Sequence, residues 1–218
     1  TPKELFYTSR GPGTNQEWKL SRAVETETRT RIVIIPGFFG SWNKDAILHN
    51  QEVNPSDWKI PSFIKEYGGI TKTLDNLGYI KNKNYFEFAY DWRKSLDQSA
   101  NTLNAYLQEN VWNSNPNDNI IIIGHSMGGV LARIYGQKYP DTRIVKIITA
   151  GSPHHGVVQA YRPLEAGETQ KDDTLMWLGT KLLLTINREG FRTDREIAQQ
   201  LIPSLYDLFP TYNFLRTR

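Results

Sequence analysis

The chain has 218 residues, 39% of them hydrophobic, which fits a single domain with one substantial core. Its formal charge of +3 is mild, and no basic cluster interleaved with aromatics marks a nucleic-acid surface, so nucleic acid is excluded as a partner. Zero cysteines exclude a disulfide framework, and no apolar run is long enough to span a bilayer; there is no signal-peptide pattern, and the compartment stays open with a slight lean toward secretion or membrane association.

In chain order, residues 1–30 are polar and irregular, an arm or one edge strand. Arg31 to Ile35 form an apolar strand that runs into Pro36-Gly37-Phe38-Phe39-Gly40-Ser41. Gly37 allows that loop to turn sharply. Residues 42–69 carry Trp42, Trp58, Phe63 and Tyr67 among polar residues and read as a long loop covering one side of a site. A helix is predicted over Thr71–Leu77, ended by Gly78, and a strand over Tyr85–Tyr90 leading into Asp91-Trp92-Arg93. Leu96, Ala100, Leu103, Leu107 and Val111 repeat at helical spacing, giving a helix over Ser95–Val111 with one face on a sheet.

Residues 119–129, Asn-Ile-Ile-Ile-Ile-Gly-His-Ser-Met-Gly-Gly, are the most informative segment. Four β-branched residues, Ile120 to Ile123, suit a strand buried on both faces of a parallel sheet. The strand enters a Gly-x-Ser-x-Gly turn, and Val130, Leu131, Ile134 and Tyr135 continue at helical spacing until Pro140. That strand–turn–helix context makes Ser126 a candidate nucleophile held at a strained apex. An acyl-transfer serine needs two N–H donors aimed at its tetrahedral oxyanion. The residue after the nucleophile, Met127, supplies one, and Phe38 in the loop after the first strand is the candidate for the other.

A further strand is predicted over Ile144–Ala150. Strands alternating with helices argue for a mainly parallel α/β sheet. Residues 157–202 form the expected cap insertion: a mobile polar loop from Glu165 to Asp173, an apolar helical stretch through Leu175-Met176-Trp177-Leu178 and Leu182-Leu183-Leu184, and a short helix over Asp194–Leu201 with Ile197 and Leu201 buried. A cap turning Trp177 inward suits an acyl chain, though a core helix is an equal reading of that stretch. Phe39, His155 and Trp177 are the candidate substrate contacts.

Pro36-Gly37-Phe38, Tyr90-Asp91-Trp92-Arg93, Gly124-His125-Ser126-Met127-Gly128-Gly129 and Gly151-Ser152-Pro153-His154-His155-Gly156 occur in the order seen in lecithin:cholesterol acyltransferase-like proteins. Pro203-Ser204-Leu205 and Leu208-Phe209-Pro210 also look like that family's segment after the cap. The chain thus resembles the branch of α/β-hydrolase lipases and acyltransferases that act on acyl-ester lipids. The resemblance implies an α/β-hydrolase fold, a serine esterase, lipase or O-acyltransferase activity, a lipid substrate with possible peripheral contact to a lipid surface, and neither cofactor nor metal.

One departure is serious. An α/β-hydrolase triad runs serine, acid, histidine along the chain. After Ser126 the only histidines are His154 and His155, and the only acid between Ser126 and His154 is Asp141, expected at the opposite end of the sheet. His155 follows a neighbouring strand, but a base must come within about 3 Å of the serine oxygen or act through one water, which its position makes marginal. His49 lies in a polar loop and reads as solvated; His125 packs beside the elbow; Asp91 and Arg93 read as braces. The expectation is therefore a single incomplete α/β-hydrolase domain over residues 1–218, with its late strands, catalytic acid and histidine in a missing C-terminal part or on a second chain. A noncatalytic binding or scaffold domain is the rival reading, and a depsipeptide or glycan esterase a third.

Overall fold

The four apolar runs pair side by side in one parallel sheet. In the computed structural model, which describes residues 30–62, 64–168, 190 and 193–214, the strands are β1 (Thr30–Ile35), β2 (Tyr85–Glu87), β3 (Asn119–His125) and β4 (Ile144–Ala150). Their order is β2-β1-β3-β4, and every pairing is parallel. The chain has the α/β-hydrolase architecture expected of it, a mostly parallel sheet with flanking helices. Register decides where the site falls. Ile35 pairs with Gly124, and His125 pairs with Ala150, so the carboxyl ends of β1, β3 and β4 are level. The segments that follow them, residues 36–41, Ser126 and residues 151–156, gather along that one edge.

Helices α3 (Leu96–Tyr106) and α4 (Met127–Lys138) cover one face of the sheet. Leu96, Ala100 and Leu103 of α3 are wholly buried with Leu131, Ala132 and Tyr135 of α4 against Ile120 and Ile122. Each fully buried Leu, Val or Ile contributes about 1.5–3 kcal/mol relative to exposure, so this layer carries much of the fold. Ser95 caps α3 by accepting from Gln98 N–H at 3.3 Å. After Tyr106 the helix widens to a π-turn, Leu107–Trp112, which keeps Leu107, Val111 and Trp112 buried. At that end Arg31 donates to Asp118 at 2.5 Å and to the Val111 carbonyl at 2.6 Å, tying β1 to the entry of β3.

Helix α2 (Lys65–Asn76) lies on the other face, where Tyr67 and Leu74 pack with Ile32, Ile34 and Tyr85. Ile123 reaches only the margin of this cluster, so Ile121 and Ile123 are half-buried rather than covered on both faces. The long loop expected over 42–69 is replaced by α1 (Lys44–His49), a 3-10 turn (Pro55–Asp57) and the first turn of α2, which starts six residues before the predicted Thr71. Gly68 and Gly69 each lower helix propensity by about 1 kcal/mol and hid that turn, but burial of Tyr67 and Leu74 overrides them. Strand β2 ends at Glu87, short of the predicted Tyr90: Phe88 N–H still donates to Ile34 O at 2.9 Å, but Tyr90 N–H turns to Ser41 Oγ at 3.1 Å.

Of the expected cap, residues 169–189 lie outside the described residues, and with them Trp177 and the Leu175–Leu184 stretch; Phe63 and residues 1–29 are outside as well. The polar loop predicted from Glu165 is corrected at its start, because Glu165 and Ala166 close helix α5 (Tyr161–Ala166) before the left-handed Gly167. Helix α6 (Asp194–Leu201) forms as expected, with Thr193 and Glu196 making a reciprocal capping box. Its Ile197 is buried, while Leu201 is only partly covered and Ile202 takes the buried place. Arg195 and Gln199 donate to Leu164 O at 3.0 and 2.8 Å, holding α5 and α6 together. Helix α7 (Ser204–Asp207) then closes the body: Ser204 N–H donates to Arg93 O, and Asp207 accepts from Leu96 N–H at 2.7 Å.

Candidate functional site

Ser126 sits at φ 51° and ψ −127°, between the end of β3 and the first residue of α4. A left-handed serine in a non-helical ψ costs about 1–3 kcal/mol and persists only where its surroundings dictate it. Here they do. Ser126 N–H donates to Ala150 O at 2.8 Å, and Ser126 O accepts from Gly129 N–H at 3.0 Å. A Cβ on Gly124 would lie 2.5 Å from Gly129 Cα, so strand and helix cross where only glycine fits. The apex is half-buried, and no described group hydrogen-bonds the Ser126 hydroxyl.

The loop after β1 lies directly against that apex. A Cβ on Gly37 would meet Ser126 Cβ at 2.8 Å and its Oγ at 3.3 Å. Gly40 N–H donates to Gly37 O at 2.9 Å, closing a tight turn with Phe39 at φ 60°, a second strained residue beside the first. Phe38 N–H engages no acceptor among the described residues. Met127 opens α4, so its N–H is one of the donors a helix start leaves without an intrahelical partner. The two amides named from sequence thus stand on the two segments that flank Ser126.

Tyr90-Asp91-Trp92-Arg93 turns out to be the frame of this loop. Tyr90 Oη donates to Pro36 O at 3.1 Å and Trp92 Nε1 to Ser41 O at 3.0 Å, both side chains being wholly buried. Burial pushes the Tyr90 phenol pKa well above its ordinary value, so it remains a donor. Phe38 and Phe39 pack on Trp92 with ring centroids at 4.6 and 4.3 Å. Arg93 is held by Asp91 through two 2.8 Å contacts and reaches Ala46 O at 2.6 Å, anchoring α1 behind the loop. Bracing was the role read for Asp91 and Arg93 from the sequence, and these contacts are braces.

Tyr67 escaped that reading. Its hydroxyl accepts from Gly37 N–H at 2.7 Å and lies 3.1 Å from His125 Nδ1. Ile64, Tyr67, Ile70 and Leu74 recur at helical spacing, which was the available signal for a buried face there.

All four histidines are described, and none hydrogen-bonds Ser126. His125 is paired with Tyr67, His154 Nε2 lies 3.2 Å from Thr149 Oγ1, and the exposed His155 has Nδ1 at 3.4 Å from Thr211 Oγ1. His49 ends α1 and is exposed. Asp141 lies before β4, at the far end of the sheet, where Arg143 holds its carboxyl below the ordinary range. The structure brings Ser126, Phe38, Phe39 and Met127 together; it ties His155 to the C-terminal segment, where Thr211 N–H donates to His155 O. Among the described residues no cluster of three or more His, Cys, Asp or Glu could hold a metal.

A family model described as lecithin:cholesterol acyltransferase matches residues 57–218. The uncharacterized protein YJR098C of Saccharomyces cerevisiae is 39% identical over 185 residues, a match covering 71% of this chain and 27% of that protein. The chain thus spans only 27% of the length of that curated relative. Among solved structures, the mature lipase BlEst2 of Bacillus licheniformis is similar at 17% identity with a TM-score of 0.46, covering 78% of this chain and 63% of its own. Phospholipase PlaB of Legionella pneumophila is similar at 14% identity with a TM-score of 0.42, covering 71% of this chain and 34% of its own.

Proposed function

This chain belongs to the lecithin:cholesterol acyltransferase family, and from that premise we propose that it carries the nucleophile of an enzyme hydrolysing or transferring acyl groups of lipid esters. The observation that carries the proposal is the strained Ser126, half-open at the sheet edge with the Gly37–Phe38 turn packed against it. Ser126 Oγ attacks the ester carbonyl, and its proton passes to a base. The oxyanion of the tetrahedral intermediate accepts from Phe38 and Met127 N–H groups that are positioned before reaction, a contribution of about 3–4 kcal/mol per donor in comparable sites. The alcohol leaves with a proton, and the acyl group remains on Ser126. Water, or the hydroxyl of an acceptor, then resolves the acyl-enzyme. Water is the simpler default.

The base and its carboxylate partner come from outside the described residues, from further polypeptide of the same protein or a second chain. Phe39 borders the acyl-ester path, and the apolar turn at Phe38-Phe39 suits a lipid tail better than a sugar. The proposal extends to peripheral contact with a lipid surface, where substrates of that kind reside.

One observation favours the rival reading of a noncatalytic binding domain: no histidine of this chain is hydrogen-bonded to Ser126. A fluorophosphonate separates the two. In the intact natural polypeptide, the enzyme reading expects stoichiometric labelling mapped to Ser126 and hydrolysis of long-chain acyl esters, both abolished by Ser126→Ala. Residues 1–218 alone should label very slowly. A properly folded intact polypeptide that neither labels nor turns over would leave the binding domain.

A further inference from the structure

Tyr67 joins the two halves of the site through one oxygen. It stands in the first turn of α2, only 7% exposed, with its hydroxyl between the turn after β1 and the elbow after β3. Gly37 N–H donates to that oxygen at 2.7 Å, and His125 Nδ1 lies 3.1 Å from it, with the two rings edge to face at 5.7 Å. The far end of the turn is as close, since a Cβ on Gly40 would sit 3.0 Å from the same hydroxyl. A phenol has one proton and two lone pairs. Gly37 N–H takes one lone pair, and the contact to His125 Nδ1 runs in the direction the imidazole tautomer sets, so one oxygen links the Gly37 amide to the imidazole.

Two consequences follow for the amides around Ser126. Gly37 N–H is engaged and cannot serve an oxyanion, which leaves the next amide, on Phe38, as the donor from this turn. The position of that amide is then fixed on one side by Tyr67 and on the other by Trp92, on which the Phe38 ring packs at 4.6 Å. We propose that Tyr67 is a positioning residue: through Gly37 and His125 it sets the distance between the Phe38 donor and the Ser126 oxygen. It touches no reacting atom. The role rests on Ser126 being the nucleophile, and it goes beyond that reading by naming what holds the oxyanion donor in place. Donors work when they lie about 2.7–3.1 Å from where the oxyanion forms, and a misplacement of about 1 Å can cost on the order of a hundredfold in rate.

The test uses the intact natural polypeptide with p-nitrophenyl butyrate as substrate and an alkyl trifluoromethyl ketone as inhibitor. The ketone carbonyl adds the serine oxygen and becomes an oxyanion, so its affinity reads the hole directly. Tyr67→Phe should lower kcat by about ten- to a hundredfold with KM within about twofold, and weaken ketone inhibition by a matching factor. His125→Leu, at an exposed ring, should act in the same direction by a smaller factor, and the double variant should cost less than the product of the two. A Tyr67→Phe protein with kcat within twofold of the parent, or with losses confined to KM and thermal stability, would overturn the role. If Tyr67→Phe fails to fold, His125→Leu decides: an unchanged kcat and ketone affinity would overturn it. Ser126→Ala distinguishes the deeper failure, because hydrolysis surviving in that variant would overturn the nucleophile and the positioning of its donor together.

Discussion

The two flanks of the elbow are finished to different degrees. On the β1 side, residues 36–41 are fixed by hydrogen bonds from Tyr90 and Trp92, by the Tyr67 hydroxyl, and by three packed aromatic rings. On the β4 side, the strand pairs only with β3 among the described residues, and Val145 and Ile148 stand 49% and 41% exposed. A groove of about 730 Å³ runs beside it, lined by Arg133 and Gly136 of α4 and by Ile144, Lys146, Thr149 and His154. On the acyl-transfer reading proposed above, the difference teaches which part of such a site is local. Donor geometry at an oxyanion has tolerances of a few tenths of an ångström, so it needs dense packing around one short turn. A base can arrive on a separate segment, which the proposed reading of Ser126 requires.

The largest effect should fall on the apex. Ser126→Ala in the intact protein is expected to lower ester hydrolysis by about 10⁴-fold or more and to abolish fluorophosphonate labelling. Ser126→Gly should do the same while raising stability by about 1 kcal/mol, because glycine holds φ 51° without a Cβ penalty. A Ser126→Gly protein no more stable than the parent in denaturant melts would mean the apex stores no strain. Next comes the finished flank: Trp92→Ala removes a wholly buried ring and the donor to Ser41, at about 3–5 kcal/mol, read as a lowered unfolding midpoint. A cost under about 1 kcal/mol would show that the β1 loop stands without its frame.

Much of this contrast was legible in the residues. The elbow was, because four consecutive isoleucines, three glycines and a helical stripe specify strand, turn and helix at once. The β1 turn was too, since Pro36-Gly37 follows an apolar strand and Gly37 permits a sharp turn. What stayed hidden depends on partners distant in sequence. Tyr67 meets Gly37 and His125 across 30 and 58 residues, and the Gly68-Gly69 pair masked the helix that carries it there. Likewise the short β2 follows from Tyr90 leaving the sheet for Ser41, a choice set by tertiary hydrogen bonding and not by the apolar run Tyr85–Tyr90. The exposure of β4 was legible only through the late strands expected beyond it, because its own isoleucines read as interior.

Acid separates two carboxylates on different parts of the body. Arg143 lowers the pKa of Asp141 below 3.8, so that pair stabilises the fold above 3.8 and its contribution is lost as pH falls through the depressed value. Asp207 runs the other way. Asp207 as a whole is exposed, but partial desolvation of its carboxyl raises its pKa against the opposing pull of the Leu96 N–H, so the folded state favours the protonated acid, and stability drops as pH rises through the raised value. Denaturant midpoints across that range should fall less steeply with rising pH in Asp207→Asn than in the parent, and less steeply with falling pH in Asp141→Asn. Each difference should be at most about 1 kcal/mol, because both groups are partly solvated. An Asp207→Asn profile parallel to the parent's would remove the burial effect assigned to α7.

The smallest effect is the sharpest test of the open flank. Ile148 lies in the middle of β4, at 41% exposure, and its side chain gains little from the packing seen around it. In residues 1–218 alone, Ile148→Ser should therefore change stability by no more than about 0.5 kcal/mol, the range of ordinary surface substitutions. In the intact natural polypeptide the same change has a second possible cost. If a further strand or helix seats on β4 there, removing the isoleucine should cost about 1–3 kcal/mol, as it does in a buried position, and should weaken Ser126 labelling if that element brings the base. Equal, small effects in both contexts would mean that β4 remains a true edge. The base proposed for Ser126 would then have to approach from elsewhere, and the contrast between the flanks would have no bearing on catalysis.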